Sequence, residues 1–190
     1  MKQEYTVGKT FNKADFTQTS LNKGEYETCT FNSCDFSDSD LSDLVFIDCV
    51  FENCNLSMAK LNKAALRDIK FINCKMLGLH FEMCNAIGLS VSFNNCNLNH
   101  SSFFETKLKK TAFRNSKLNE VDFTGSDLSG SVFDNCDFMG ASFENTIIEK
   151  ADFRTSFNYS INPDKNRIKK ARFSLMGIAG LLDTYDIEIE

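Results

Sequence analysis

Large apolar residues recur at every fifth position along most of this chain, a period that belongs to neither of the two regular backbone geometries. Stepping by five from Phe11, the positions hold Phe11, Phe16, Leu21, Tyr26, Phe31, Phe36, Leu41, Phe46, Phe51, Leu56, Leu61, Leu66, Phe71, Met76 and Phe81. The step resumes in a new phase at Phe93 and runs through Leu98, Phe103, Leu108, Phe113, Leu118, Phe123, Leu128, Phe133, Phe138, Phe143, Ile148 and Phe153. A helix returns to one face every 3.6 residues and a strand every 2.0, so neither amphipathic template fits. The backbone must turn a corner in every unit and bring the same corner back later.

Two positions before each central residue the side chain is usually small. Ala14, Thr19, Gly24, Cys29, Cys34, Ser39, Ala59 and Ala64 follow this early, and Ser126, Ser131, Ala141 and Ala151 late, while Leu44, Ile69 and Leu79 depart from it. Large and small inward groups in alternation let the chain wind a tight square, with the other three positions pointing outward. Nineteen Phe without one Trp, among many Asn, Asp, Ser, Thr and Cys, is the composition of a single environment repeated. The 190 residues are read as one cored domain with a tail that behaves differently.

Units such as Ala14-Asp15-Phe16 and Ala151-Asp152-Phe153 resemble the pentapeptide-repeat family, whose pattern is Ala-(Asp/Asn)-(Leu/Phe)-X-X. The resemblance implies an all-β fold, a right-handed quadrilateral β-helix over residues 1–160, followed by a capping or dimerisation segment over 161–190. Four units per coil would stack residues twenty apart, and Phe11, Phe31, Phe51 and Phe71 obey that spacing. The next interval, to Phe93, is two residues longer, after which Phe113, Phe133, Phe153 and Phe173 continue the column. We place the resulting bulge near Ala86 to Ser90.

Cys29, Cys34, Cys49, Cys54, Cys74, Cys84, Cys96 and Cys136 all occupy the small inward position. The closest pairs are five apart and fall on successive faces, whereas metal ligands must converge, so these thiols are read as core and no metal or cofactor is expected. Cys34, Cys54, Cys74, Cys96, Ser116 and Cys136 should form one interior column. His80 and His100 fall on outward positions. Without a phosphate-cradling glycine loop, a nucleophile elbow or a carboxylate in an apolar pocket, the sequence supports no catalysis and no small-molecule substrate.

Beyond Asn162-Pro163-Asp164 the repeat breaks, and Ala171-Arg172-Phe173 briefly restores it. Ser174 is placed to cap a short helix with Leu175, Ile178, Ala179 and Leu182 on one face, weakened by Gly177 and Gly180 at about 1 kcal/mol each. Tyr185 to Glu190 alternates apolar and acidic residues and reads as a final strand. A solenoid exposes unpaired backbone at its last coil, so this segment either caps the rod or pairs it with another copy.

Charge is blocked along the chain, whose net value is −5. Residues 24–59 carry Glu25, Glu27, Asp35, Asp38, Asp40, Asp43, Asp48 and Glu52 and no Lys or Arg; residues 118–149 carry Glu120, Asp122, Asp127, Asp134, Asp137, Glu144 and Glu149, again without a basic residue. Between them, residues 60–117 hold ten basic and three acidic groups. Such a balance argues against nucleic acid and anionic lipid as partners. The N-terminus lacks a secretion-type apolar core and no stretch is long enough to span a bilayer, which predicts a cytoplasmic protein.

Size, rod length and tail are similar to the Qnr, MfpA, AlbG and McbG group of pentapeptide-repeat proteins. That resemblance implies a DNA mimic that binds DNA gyrase or topoisomerase IV and protects it from quinolones or peptide toxins. It further implies homodimerisation through Leu175, Ile178, Leu181, Leu182, Ile187 and Ile189, with Glu120, Asp122, Asp127, Asp134, Asp137 and Glu144 facing the enzyme near the dimer centre. The alternative is a general interaction scaffold in which the basic belt matters as much as the acidic ends.

Overall fold

A computed structural model describes residues 4–185 and 187–188. Its strands are β1 (Glu4–Val7), β2 (Thr10–Asn12), β3 (Gly24–Glu27), β4 (Thr30–Asn32), β5 (Val45–Ile47), β6 (Val50–Glu52), β7 (Ala65–Arg67), β8 (Ile69–Ile72), β9 (Val91–Asn94), β10 (Ala112–Arg114) and β11 (Val132–Asp134). All pair in parallel, β1-β3-β5-β7 in one sheet and β2-β4-β6-β8-β9-β10-β11 in the other. Partners lie twenty residues apart, as Phe11↔Phe31 and Phe113↔Phe133, except between β8 and β9, where they lie twenty-two apart, so the chain is a four-sided parallel solenoid. Face I carries the four-stranded sheet and face II the seven-stranded one. Face III, the column of Phe36, Phe138 and their equivalents, and face IV, the column of Leu41, Phe103 and Phe123, are joined by single bridges such as Asp35↔Asn55 and Ser102↔Asp122.

The residue before each central position decides whether a face is strand or turn. Val45, Val50 and Val132 are β-branched, prefer extended backbone, and begin strands. Asp35, Asp40, Asn55, Asp122 and Asp127 instead accept the backbone N–H two residues ahead at 2.9–3.2 Å, closing an Asx turn that ends pairing after one bridge. At the corner two residues past most central positions the backbone is left-handed. Asn53, Asn73, Asn115 and Asn135 sit there at φ 49–55°, but so do Met58, Lys63, Lys110 and Glu120 at 56–60°. For such residues this conformation costs about 1–2 kcal/mol each, which coil stacking must offset.

The core is a stack of rings. Along face II, Phe11, Phe31, Phe51, Phe71, Phe93, Phe113, Phe133, Phe153 and Phe173 lie with successive centroids 4.6–5.5 Å apart and near-parallel planes. That distance is the strand spacing itself, so ring stacking and ladder hydrogen bonding reinforce each other. The column crosses the two-residue insertion unbroken: Ile69 pairs with Val91, and Phe71 stacks on Phe93 at 5.5 Å. The extra length is absorbed on face I, where β7 is succeeded one coil later by an irregular loop through Ala86 to Leu89, the region the period change marks.

All eight cysteines are buried and unbridged. Each thiol of the interior column donates to the carbonyl of the coil below, Cys54 Sγ to Phe31 O at 3.2 Å and Cys74 Sγ to Phe51 O at 3.3 Å. Burial pushes Cys84 and Cys136 up to about 12 and Cys49 to about 11, so they remain protonated and act as small apolar groups at neutral pH. Ser116 fills its predicted place in this column, accepting from the Cys96 N–H at 3.2 Å.

The tail differs from its expected form. Ser174 Oγ does accept from the Gly177 N–H at 3.1 Å, but the chain then makes two short 3-10 turns, Ile178–Leu181 and Asp183–Tyr185, instead of a regular helix with a shared apolar face. The glycines explain this. A Cβ on Gly180 would stand 2.1 Å from the Tyr159 carbonyl oxygen and one on Gly177 2.0 Å from the Tyr159 hydroxyl. The backbone therefore lies flat on the last coil, and Gly180 O accepts from the Ile161 N–H at 2.8 Å. Tyr185 closes the second turn and Ile187 is exposed outside any strand; Asp186, Ile189 and Glu190 of the expected strand lie outside the described residues.

Candidate interaction surface

The six carboxylates singled out in the second acidic block occupy all four faces. Asp127 is on face I, Asp134 on face II, Asp137 on face III, Asp122 and Glu144 on face IV, and Glu120 on the corner between III and IV. Several are engaged locally. Asp127 accepts from the Ser129 N–H and hydroxyl and meets Lys109 Nζ at 3.1 Å. Asp137 accepts from Asn158 Nδ2 at 2.8 Å and Asp134 from the Thr155 hydroxyl at 2.9 Å. Burial opposes ionisation of Asp127, yet the Ser129 hydrogen bonds and Lys109 hold its carboxyl below the usual range. These three serve the turn or neighbouring coil first and a partner second.

Face IV is different. Glu82, Asp122 and Glu144, with Glu105 on the corner toward face I, succeed one another on consecutive coils, and positions 79–83, 101–105, 121–125 and 141–145 contain no Lys or Arg. Glu105 and Glu144 are exposed; Asp122 uses one oxygen for the Thr124 N–H, and Glu144 meets Lys165 at the end of the strip at 3.2 Å. Glu120 adds a charge at the edge, 3.2 Å from His100 Nδ1. Face I over these coils carries Lys107, Lys109, Lys110 and Lys150 against Asp127 and Glu149, and the coil that follows adds Arg167, Lys169 and Lys170. Sequence blocks of mixed faces thus sort, once wound, into one acidic and one basic side. A count taken every twenty residues instead of along a window would have found this.

Both histidines point outward, His80 beside Glu82 at 2.8 Å and His100 beside Glu120. The bottom of the rod gathers apolar surface. Leu175 is 85% exposed and Met176 93%, with Ile178, Ile187 and Phe157 also exposed. Leu181 instead packs on the core, and Leu182 is half-buried; Ile189 lies outside the described residues. No helix among the described residues is long and apolar enough to cross a membrane.

These features define a parallel β-solenoid whose recognisable groups are displayed on a rod surface. The pentapeptide repeat region family model matches residues 24–89, 44–123 and 80–153, and the chain belongs to the pentapeptide-repeat family. Two trypsin-treated forms of QnrB1, a plasmid-mediated fluoroquinolone resistance protein, share the fold over 97% of this chain and 97% of theirs, with TM-scores of 0.58 and 0.52 at 22% and 21% identity. HetL, a pentapeptide repeat protein involved in heterocyst differentiation regulation in the cyanobacterium Nostoc sp. strain PCC 7120, shares it with a TM-score of 0.53 at 16% identity, over 89% of this chain and 84% of its own. No curated protein matches the chain.

Proposed function

We propose that this protein is a non-enzymatic DNA mimic that occupies the duplex-binding surface of DNA gyrase or topoisomerase IV and protects the enzyme from quinolones or peptide toxins. The observation that carries the reading is the acidic strip of face IV. Parallel coils rise about 4.8 Å each, so its carboxylates form a regular row of negative charge along the rod, sparser than the about 3.4 Å phosphate spacing of one DNA strand but aligned on one side as that strand is. The end-to-end likeness in fold to QnrB1 supports the same reading. Among the six carboxylates, Asp122, Glu144 and the corner Glu120 are the enzyme-facing groups; Asp127, Asp134 and Asp137 contribute field and turn structure. The exposed Leu175, Ile178 and Ile187 join two copies at the C-terminal end in a cytoplasmic homodimer.

A supercoiling assay tests this. Purified protein should compete with DNA for gyrase, and the Glu105→Gln, Asp122→Asn, Glu144→Gln triple variant should compete weakly. Absence of competition at micromolar protein would reject the mimic. It would favour the second reading, a general interaction scaffold with an unknown partner, which draws support from the basic character of face I and from the likeness to HetL, a regulatory protein of the same fold.

A further inference from the structure

The two-residue insertion opens a pocket that the regular coil lacks. Lifting Ala86 to Leu89 off face I leaves a cavity of about 540 Å3 at the corner with face IV, floored by Phe81, Cys84 and Leu89 and rimmed by Ile87 and Phe104. Ile87 is 77% exposed and Phe104 41%, and Met83 stands exposed beside them in sequence on the same corner. Gly88, at φ +76°, makes the loop's turn beside the Arg67 side chain. Two carboxylates and one cation, Glu82, Glu105 and Lys107, are the charged groups of the lining. Glu82 holds the unusual group. Its Oε1 faces His80 Nδ1 at 2.8 Å, whereas its Oε2 is buried without a hydrogen-bond partner among the described residues. An unsatisfied carboxylate oxygen in a largely apolar setting is costly and is relieved by an incoming cationic donor.

We propose that this pocket anchors a large apolar side chain of an extended basic segment of a partner protein, with Glu82, Glu105 and Asp122 receiving the flanking cations. The acidic strip selects a peptide over an isolated small amine. These three carboxylates stand on three successive coils, so they span about 10 Å along the axis, the reach of about three extended residues. The inference rests on the acidic side being the partner-facing one, as proposed above, and names the feature of the partner that it grips.

The test is fluorescence anisotropy of the purified full chain with a labelled Arg-Ala-Phe-Ala-Lys-Ala-Lys peptide, whose ring and cations share one face when extended. Saturable binding is expected, with loss of binding when Phe is replaced by Ala or when the cations are replaced by Glu. Glu82→Gln should weaken it about tenfold, the worth of one charge-assisted hydrogen bond. Deleting residues 87–88 restores the twenty-residue spacing and should abolish binding while leaving the thermal midpoint in place, so a folding defect is separately visible. No binding, equal binding of the alanine peptide, or unchanged affinity in both variants overturns the proposal. Because the readout contains no topoisomerase, lost peptide binding with intact DNA competition defeats this inference alone, and the reverse result defeats the mimic alone.

Discussion

Coils before the insertion and coils after it hold the same aromatic column by different means. In the first half both faces I and II carry strands, and the small inward groups are mostly Cys and Ala, the Cys thiols making weak hydrogen bonds of 3.2–3.5 Å to the coil below, with Ser39 the one hydroxyl among the described residues that does so, at 2.9 Å. In the second half face I has only single bridges, and the small inward groups are largely Ser and Thr. Those hydroxyls work at both ends: Ser131 Oγ donates to Leu108 O at 2.8 Å and accepts from the Thr111 N–H at 3.1 Å, and Ser156 does the same between Phe133 O and the Cys136 N–H. The second half has less continuous sheet and more side-chain hydrogen bonding between coils. A repeat fixes where the rings go and leaves open how neighbouring coils are fastened.

If the ring column is common property, Phe51→Ala and Phe113→Ala should each cost about 3–5 kcal/mol in chemical denaturation. A gap above about 1 kcal/mol between them would show that the halves differ in their cores and not only in their fastenings. The fastenings themselves predict a smaller, asymmetric effect. Ser131→Ala leaves the Thr111 N–H and the Leu108 carbonyl only their long 3.4 Å bond to each other and should cost about 1–3 kcal/mol, whereas Cys54→Ala removes only a small apolar sulfur and should cost about 1 kcal/mol. Equal losses would erase the contrast. Smaller again, Lys110→Asn relieves a left-handed corner at φ 59° and should add about 0.5 kcal/mol of stability in the same denaturation; an unchanged midpoint would mean that the corner is not strained.

The smallest effect is electrostatic and confined to the second half. Arg154 holds the Asp152 carboxyl below the usual range, burial opposes this, and Arg172 adds to the lowering. A carboxyl depressed in the folded state stabilises above its unfolded value near pH 4 and loses that contribution as pH falls through the folded one. Between about pH 5 and about pH 2, a window set by that unfolded value, the thermal midpoint of Asp152→Asn should therefore fall less than that of the wild type. Screening at this solvent-facing site keeps the difference small, and identical curves would strike the Asp152–Arg154–Arg172 cluster from the fastenings.

The period of five was enough to read the square coil, the Phe11 to Phe173 column, the inward cysteines and the site of the insertion, because each depends on which residues must face inward. Outward chemistry was harder to read. Asp127 and Asp137 count with Asp122 and Glu144 in a window along the chain, and only stacking places them on other faces and the latter two in one column with Glu82 and Glu105. The tail misled for a related reason: helix propensity treats Gly177 and Gly180 as defects, while packing on Tyr159 makes the missing Cβ atoms a requirement. The left-handed corners went unread, although Asn recurring at positions 53, 73, 95, 115 and 135 is the residue that tolerates them best and would have marked them.

Because pairing between Ile69 and Val91 resumes in step after an extra-length coil, a length error on one side is not passed to the next storey. The tower can therefore lengthen a loop on one wall while the other three keep their bricks in line. Novel recognition can be bolted onto such a wall piecemeal, without rebuilding the frame that carries it.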